Sequence, residues 1–423
     1  MPAKAGVDLS YAIGLKPEEA IRYFEDKGYT IGFNWHDVEA RAHATAFTVA
    51  GVLKQDVLTD IRQGLSDALA NGTTLAQFKK DLIPTLQQKG WMGKGLVADA
   101  DGVLEGKQLT PRRLDTIFQT NMQAAYNAGR YEEQLANVEF RPYWERVAVM
   151  DTHTRPAHAA LNGFTARYDD PVWQFMYPPD GYHCRCRVRA RSEGDVKRHG
   201  LTIQDGSGMI ETVQQAWGPN DTRQVQALRN PLNGQLYTPD AGFGHNPGQG
   251  SLAALGQRLL DRAAVATPQL ASLAVDQTLR EPTLVSAISN DVKRFVNQTV
   301  TQGKPANTLR HVGAIRPDTL NALTRRGITP SVAPLTVYDS GVLAAPASPW
   351  ASLPELLRQA DATLLDDTGL VYVVSNDGVR YAVRADLVAA REGLPLSFLD
   401  QGSPLTPDTL AKLGQLTTLT GAL

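Results

Sequence analysis

The chain has 423 residues, of which 42% are hydrophobic and 20% charged, so it holds enough apolar material for two or three packed domains and is not a disordered chain. Its 42 basic and 44 acidic side chains give a formal charge of −2, which excludes a globally basic nucleic-acid binder but not a local basic patch. Two cysteines exclude a disulfide framework and favour a reducing compartment. No apolar run approaches the roughly 18 residues of a membrane span, and the first residues lack the order of a signal peptide, so we expect a cytosolic, multi-domain protein.

The first 140 residues have the pattern of a helical region. Pro17 suits the first turn of a short helix, because the ring of proline is pre-organised for that position. From Asp37, apolar residues follow at steps of three and four, which predicts one long helix that ends at Asn71-Gly72. Its apolar stripe consists of Val38, Ala42, Val49, Leu53, Val57, Ile61 and Leu65.

Two further helices complete the helical region. Thr74 with Gln77 predicts a capping box for a helix near 75–88, and a glycine-rich loop follows it. Thr110-Pro111 is an N-cap followed by proline at the first helical position, so we expect a helix from 111 to about 136. Its inward positions are Leu114, Ile117, Phe118, Ala125 and Leu135.

The pattern changes at Arg141, and we expect a small α/β core over 141–203. Residues 143–149 have strand character, a short helix opens at Pro156, and residues 184–191 alternate with the strict period of two that is typical of a strand. Residues 204–250 contain eight glycines and four prolines without periodicity, which predicts an extended linker arm.

A separate α+β domain is expected over 251–423. Leucines between 252 and 260 and apolar residues between 284 and 296 predict two helices. The run 370–384 has two β-rich segments around Asp377-Gly378, which is a strong hairpin signal. The whole chain is therefore predicted to be α+β, with the regions 1–140, 141–203, 204–250 and 251–423.

Residues 151–189 concentrate side chains that can bind a metal ion. In a strand, Cys184 and Cys186 would lie on the same face, and the two residues would be about 6.5–7 Å apart. His158, with His183 or His153, would complete a tetrahedral nitrogen and sulfur site of the kind that zinc prefers. The alternative is that both cysteines are buried as small hydrophobic residues and that the histidines are structural. Zinc is therefore the candidate cofactor, with plain burial as the open alternative.

Four arginines occupy the opposite face of the same predicted strand. A row of guanidinium groups suits phosphate or carboxylate partners, so this face could contact DNA or an acidic protein surface. The alternative is a solvated edge strand, whose charges prevent edge-to-edge aggregation. The four residues are Arg185, Arg187, Arg189 and Arg191.

The sequence assigns no catalytic residue. Asp151 and Arg155 lie four residues apart around a helix start, which predicts a structural ion pair. The chain has no nucleophile elbow, P-loop lysine or HExxH motif. His311 is the single histidine of residues 251–423. A nuclease that cleaves RNA would need a positioned acid–base pair and a cation, so this lone histidine is interpreted as structural.

Residues 15–250 resemble the phage head morphogenesis family, the minor head proteins similar to protein F of phage Mu. The resemblance runs through KPEEAIRYFEDKG, TPRRLDTIFQTNMQAAYNAGRYEEQ and YPPDGYHCRCRVRA, and a block of that length is far more specific than a short motif. The family signature falls on Asp151, Arg155, His158, Gly163, Pro179, Cys184, Arg185 and Cys186.

The resemblance implies a structural role without enzymatic activity. Such a protein would be a minor capsid component near the portal, inside the phage head, and would support head assembly and DNA packaging or ejection. Its partners would be the portal protein and capsid or scaffolding proteins, with phage DNA as a further candidate, and it would meet them in the host cytoplasm during assembly.

The C-terminal module resembles the tails of the same proteins, which have been likened to barnase-like or endonuclease-like domains. In this chain the stretch between Val342 and Ser352 is short and lacks the histidine and basic residues of fuller versions. A degenerate docking domain is therefore the preferred interpretation. The alternative is a nuclease or toxin domain that is delivered with the phage DNA.

Overall fold

The structure, a computed structural model, describes residues 17–25, 27–29, 31, 46–219, 221–231, 233–387 and 392–423. The chain forms two compact units, Met1–Ser251 and Leu252–Leu423. Each unit contains helices and mostly antiparallel sheets, in agreement with the predicted α+β class. Among the described helices, none is long and apolar enough to cross a membrane.

The helices that start at Leu75 and Pro111 begin where their capping residues predict. The Thr74 hydroxyl accepts a hydrogen bond from the Gln77 N–H at 3.3 Å, and the Thr110 hydroxyl accepts one from the Arg113 N–H at 3.2 Å. Each bond satisfies an N–H group that the first helical turn leaves without an intrahelical partner. The helices are α1 (Pro17–Glu25), α2 (Gln55–Asn71), α3 (Leu75–Gln88), α4 (Pro111–Ala136), α5 (Pro156–Ala159) and α6 (Glu193–His199).

The long helix predicted from Asp37 to Asn71 is confirmed over α2, which ends at Gly72, and is wrong over residues 46–54, whereas residues 37–45 lie outside the described residues. Gly51 has a φ of 75°, a left-handed conformation through which an α-helix does not continue. Val49 is buried ahead of the helix, and Val57, Ile61 and Leu65 form the buried stripe of α2. The short strands of this region are β1 (Gly28–Tyr29), β2 (Ala46–Phe47), β3 (Leu96–Ala98) and β4 (Leu104–Lys107), and the last two form a hairpin where the sequence predicts a loop.

A four-stranded sheet with the order β7-β5-β6-β8 occupies the middle of the first unit. Trp144 of this sheet is fully buried, and its ring packs edge-on against Tyr131 of α4 and against Tyr177, with centroid distances of 5.5 and 5.7 Å. This aromatic cluster fixes α4 against the sheet. The strands are β5 (Tyr143–Val147), β6 (Thr165–Arg167), β7 (Arg187–Arg191) and β8 (Ile203–Gln204).

The extended linker predicted for 204–250 is wrong, because this segment is folded. It forms a three-stranded antiparallel sheet, and its glycines and prolines lie largely outside the strands. The Asn230 side chain donates to the Ala160 carbonyl at 2.9 Å, and the Asn246 side chain donates to the Trp173 carbonyl at 3.0 Å. Both bonds attach the segment to the rest of the first unit. Its strands are β9 (Ile210–Ala216), β10 (Thr222–Arg229) and β11 (Leu236–Tyr237).

The second unit is built on a seven-stranded sheet with the order β12-β13-β17-β16-β15-β14-β18. All its neighbouring strands are antiparallel except β13 and β17, which are parallel. These strands are β12 (Leu309–Ala314), β13 (Pro334–Tyr338), β14 (Ala362–Leu365), β15 (Gly369–Asn376), β16 (Val379–Asp386), β17 (Leu394–Phe398) and β18 (Thr417–Gly421).

Helices pack against this sheet, most of them in one large hydrophobic core and the last helix in a smaller cluster with Leu413. Helix α7 begins in the first unit and continues into the second. The apolar residues that predict a helix between 284 and 296 are buried in this core. The helices are α7 (Pro247–Val265), α8 (Pro268–Thr278), α9 (Pro282–Gln302), α10 (Pro317–Thr324), α11 (Asp339–Ala344), α12 (Leu353–Leu356) and α13 (Pro407–Leu413).

The hairpin predicted over 370–384 is confirmed. Strands β15 and β16 pair from Gly369↔Asp386 to Asn376↔Val379, with Asp377 and Gly378 as the two turn residues. Their φ angles are 50° and 79°. Two consecutive positive φ angles match the twist of a two-residue hairpin, and this explains the Asp-Gly sequence.

Replacing Gly378 with alanine should lower the free energy of unfolding by about 1 kcal/mol, because an L residue is strained at its φ of 79°. No other atom lies within 4 Å of the position of the added Cβ, so the cost is purely conformational. Gly313→Ala in β12 is the matched control, since it also has open space and lacks a positive φ. Urea denaturation of the two variants measures the difference, and equal stabilities would contradict the assignment of the turn.

Candidate metal centre

One histidine and both cysteines meet in the interior of the first unit. His158 lies in the one-turn helix α5, and Cys184 and Cys186 lie in the segment that precedes β7. The His158 Nδ1 atom is 3.7 Å from the Cys184 Sγ and 3.6 Å from the Cys186 Sγ. All three side chains are buried, and their ligand atoms lie within 4.8 Å of one another. This donor set suits one tetrahedral zinc ion with a fourth position left for another ligand.

A tight turn, and not a strand, positions the two cysteines. Strand β7 begins after them, so the strand predicted from 184 is too long. His183 has a φ of 60°, and the Cys184 N–H donates to the Gly181 carbonyl at 3.1 Å. The Asn127 side chain of α4 reaches the Cys186 carbonyl at 3.5 Å. The turn and the helix therefore hold both sulfur atoms toward the same point.

The structure brings together three of the four predicted metal ligands and leaves out His183. The His183 Nε2 lies 3.2 Å from the Thr116 hydroxyl, and its Nδ1 contacts the Gln119 side chain. The other candidate, His153, is exposed, and its N–H donates to the Asp151 carboxylate at 3.0 Å. Within the described part of the chain, neither histidine belongs to the group that could hold a metal ion.

The two thiols do not ionise independently. A hydrogen bond from Cys184 lowers the pKa of Cys186, and His158 and Arg146 lower it further. The same hydrogen bond and burial raise the pKa of Cys184. The first proton is therefore lost easily and the second is retained, because two adjacent thiolates repel each other in a buried site. A divalent cation would stabilise both thiolates.

A fully buried ion pair lies beside the cysteines. Arg146 of β5 pairs with the Asp180 carboxylate and donates to the Met176 carbonyl at 2.6 Å. The Tyr237 hydroxyl of β11 donates to the same carboxylate at 2.7 Å. Burial alone would lower the pKa of Arg146, but the neighbouring Cys186 and Tyr237 raise it, so the guanidinium stays charged.

Arg146, Asp180 and Tyr237 are not among the residues that the sequence singles out. A signal for Arg146 exists, because period two places it on the same face as the apolar Trp144 and Ala148. An arginine on an apolar face implies a buried anionic partner. No sequence pattern marks Asp180 or Tyr237 in this way. Asp180 follows an irregular segment, and Tyr237 lies in the segment predicted to be a linker.

Asp151 and Arg155 do not pair with each other, so the predicted ion pair is wrong. Asp151 forms a bidentate ion pair with Arg185, and this hydrogen bonding holds the pKa of the Asp151 carboxyl well below its usual range. Arg155 instead donates to Asp240 at 2.6 Å and to the Tyr182 carbonyl at 2.8 Å. Both signature residues thus attach other segments to the loop that carries the cysteines.

The signature glycine and proline shape the backbone around this loop. Gly163 has a φ of 86° between α5 and β6, and the Pro178–Pro179 peptide bond is cis. Close to them, a Cβ on Gly181 would lie 2.2 Å from the Asp240 carboxylate and 2.8 Å from the Arg155 guanidinium. A side chain at position 181 would therefore displace this ion pair.

The four predicted arginines do not form one uninterrupted solvent-facing row. Arg185 and Arg191 are held in ion pairs with acidic side chains. Arg187 is half-buried and Arg189 is exposed. Both lie near Arg130 of α4, whose pKa is lowered first by burial and then by their charges. Strand β7 is an edge strand, so the structure permits both the partner-contact and the solvated-edge interpretation.

His311 of the second unit is buried in its core sheet. Its Nδ1 lies 2.8 Å from the Thr336 hydroxyl, and its Nε2 lies 3.2 Å from the Asp261 carboxylate. Burial lowers the pKa of His311, which is only 2% exposed. These contacts are those of a structural histidine.

Replacing Asp180 with asparagine should lower the free energy of unfolding by about 3 kcal/mol, because Arg146 would remain buried without its anionic partner. Asp169→Asn is the control, since it breaks an exposed ion pair with Arg167 that contributes less than about 1 kcal/mol. Chemical denaturation with tryptophan fluorescence follows both variants. Similar losses of unfolding free energy in the two variants would show that the buried ion pair stabilises the protein no more than the exposed one.

Comparisons with known proteins connect this geometry to a family. The chain is 38% identical over 408 residues to a protein of Escherichia phage Mu described as "Putative capsid assembly protein F", and the match covers 91% of this chain and 90% of the relative. It is 41% identical over 225 residues to the Mu-like prophage FluMu F protein of Haemophilus influenzae, which covers 53% of this chain and 54% of that protein. No solved structure matches the chain at a significant level.

The family model described as Phage Mu protein F like protein matches residues 59–189. That range includes His158, Cys184, Cys186 and the buried Arg146–Asp180 pair. The similarity to the phage Mu protein extends over nearly the whole of both chains. The chain therefore belongs to the family of phage Mu F-like proteins.

Proposed function

We propose that this protein is a minor head protein of a Mu-like tailed phage and acts in head morphogenesis as a structural component. It is incorporated inside the head near the portal, contacts the portal protein and capsid or scaffolding proteins, and supports DNA packaging or ejection. The observation that carries this proposal is the similarity over 91% of the chain to a phage Mu protein whose name describes capsid assembly. Because the match includes both units, the role applies to the chain as a whole.

The second unit serves as a docking domain in this proposal. The alternative, a nuclease or toxin, needs an accessible acid–base pair beside the substrate phosphate. His311 is the single histidine of the second unit, and it is buried between Thr336 and Asp261. The placement of His311 favours docking over RNA cleavage.

The arginines at the edge of the four-stranded sheet provide a contact face for an acidic partner or for DNA phosphate. Arg189 is exposed, and Arg187 and Arg130 lie close enough to interact with each other electrostatically. Guanidinium groups on one edge strand suit the phosphate of DNA or the carboxylates of an acidic partner.

The metal centre binds one zinc ion that stabilises the first unit. His158, Cys184 and Cys186 supply three ligands, and burial protects them from water. Binding would release the proton that the cysteine pair retains, so zinc affinity should rise with pH. Plain burial of the three side chains is the competing explanation.

Phage that lack the gene for this protein should form misassembled or non-infectious heads, and complementation should restore infectivity. In the wild-type phage the protein should copurify with portal protein or with proheads. Normal assembly, DNA filling and infection without the protein would contradict the structural role.

The same complementation assay tests the arginine face. Arg187→Gln/Arg189→Gln protein should fold normally but be incorporated into heads several-fold less. Arg167→Gln/Arg198→Gln removes the same charge from exposed arginines elsewhere in the first unit and should be incorporated normally. Equal incorporation of both variants would contradict the partner-contact interpretation and support the solvated edge.

Protein purified without chelator should contain about one zinc ion per chain, and chelation should lower its melting temperature. The Cys184→Ser/Cys186→Ser variant and the His158→Ala variant should both lose the metal. His183→Ala is the matched control and should retain it, because His183 lies outside the cluster. Elemental analysis that finds no metal in the parent protein would favour plain burial.

A further inference from the structure

A second site lies in the first unit, apart from the metal centre. A cavity of about 250 Å³ is lined by one face of α4, by α1, by the segment after β2 and by the chain before α7. The volume is below the roughly 300–1,000 Å³ of pockets for drug-sized ligands, so it suits a group of about the size of one amino-acid residue.

Three residues that line this cavity have a hydroxyl group without a hydrogen-bond partner among the described residues. They are Tyr23, Thr48 and Thr120, and each hydroxyl oxygen is buried. Tyr23 is only 2% exposed. A buried hydroxyl without a partner is rare and costs free energy, so three around one space indicate a site that is completed by a ligand.

The charges around the cavity have one sign. Lys27 and Arg113 line it, and none of the described lining residues is aspartate or glutamate. Arg113 is fixed in place, because it donates to the Gln108 carbonyl at 3.1 Å and also to the Ala50 carbonyl. Burial, helped by Arg62, lowers the pKa of Lys27 to about 7. An anion in the cavity would favour the charged form of this lysine.

We propose that this cavity binds a carboxylate group on a compact apolar body. Lys27 and Arg113 attract the carboxylate, and the free hydroxyls donate hydrogen bonds to it. Apolar side chains, including Val49, Ile117 and Phe243, enclose the body of the ligand. Either a free carboxylic acid or the C-terminal residue of a polypeptide has this chemistry.

Isothermal titration of the full-length protein with N-acetyl-L-leucine tests the proposal. N-acetyl-L-leucinamide has nearly the same shape without the charge, so it should bind at least about tenfold more weakly. Absence of binding by the acid, or equal affinities for acid and amide, would overturn the proposal.

Two variants that keep the shape of the side chain test whether the ligand binds in this cavity. Tyr23→Phe and Thr120→Val should each weaken binding of N-acetyl-L-leucine by roughly tenfold and should leave the melting temperature unchanged or higher. Tyr372→Phe removes another buried hydroxyl without a partner, outside this cavity, and should not change the affinity. Unchanged affinity in both cavity variants would overturn the assignment.

A leucine-terminated pentapeptide distinguishes the two sources of the carboxylate. If the peptide with a free C-terminus binds as tightly as the acid and its amidated form does not, the ligand is a chain terminus. If the acid binds and the peptide is excluded, the ligand is a free acid.

Discussion

The guanidinium of Arg146 is removed from water, and the first unit must compensate its charge by partners in fixed positions. Those partners come from separate parts of the chain: the Asp180 carboxylate, the Met176 carbonyl and, through Asp180, the Tyr237 hydroxyl. One buried charge thereby determines how β5, the irregular segment before the cysteines and β11 meet. Cys184 follows that segment after only a few residues, so the position of the candidate metal ligands depends on the ion pair.

The charges of the candidate metal centre would balance with a zinc ion bound. Two thiolates and a zinc ion sum to zero, and the Arg146–Asp180 pair beside them is neutral. Without a metal, Arg146 and His158 favour one thiolate at Cys186, while Cys184 keeps its proton.

Features that depend on neighbouring residues could be predicted from the sequence. The caps at Thr74 and Thr110 and the turn at Asp377-Gly378 are where local chemistry places them, because each is complete within about four residues. The strands between 204 and 250 could not be predicted from composition, because glycine and proline at turns conceal the alternating residues between them.

The candidate site shows the same division between local and long-range information. Residue types alone singled out His158 and the two cysteines, but their approach depends on long-range contacts. In α4, the Asn127 and Gln134 side chains face inward because they donate to carbonyls of Cys186 and Val188. No periodicity in the sequence predicts such a polar contact, since it exists only once the helix lies beside the edge strand.

The folded segment between β8 and α7 also has a mechanical consequence. Its last part is attached to the loop that carries the cysteines, since the Asp240 N–H donates to the Asp180 carbonyl at 2.8 Å and the Asp240 carboxylate pairs with Arg155. A pulling force on the end of this segment would therefore load the Asn246–Trp173 hydrogen bond first and the contacts of Asp240 next. The force at which the segment extends would then depend on whether these contacts are in place.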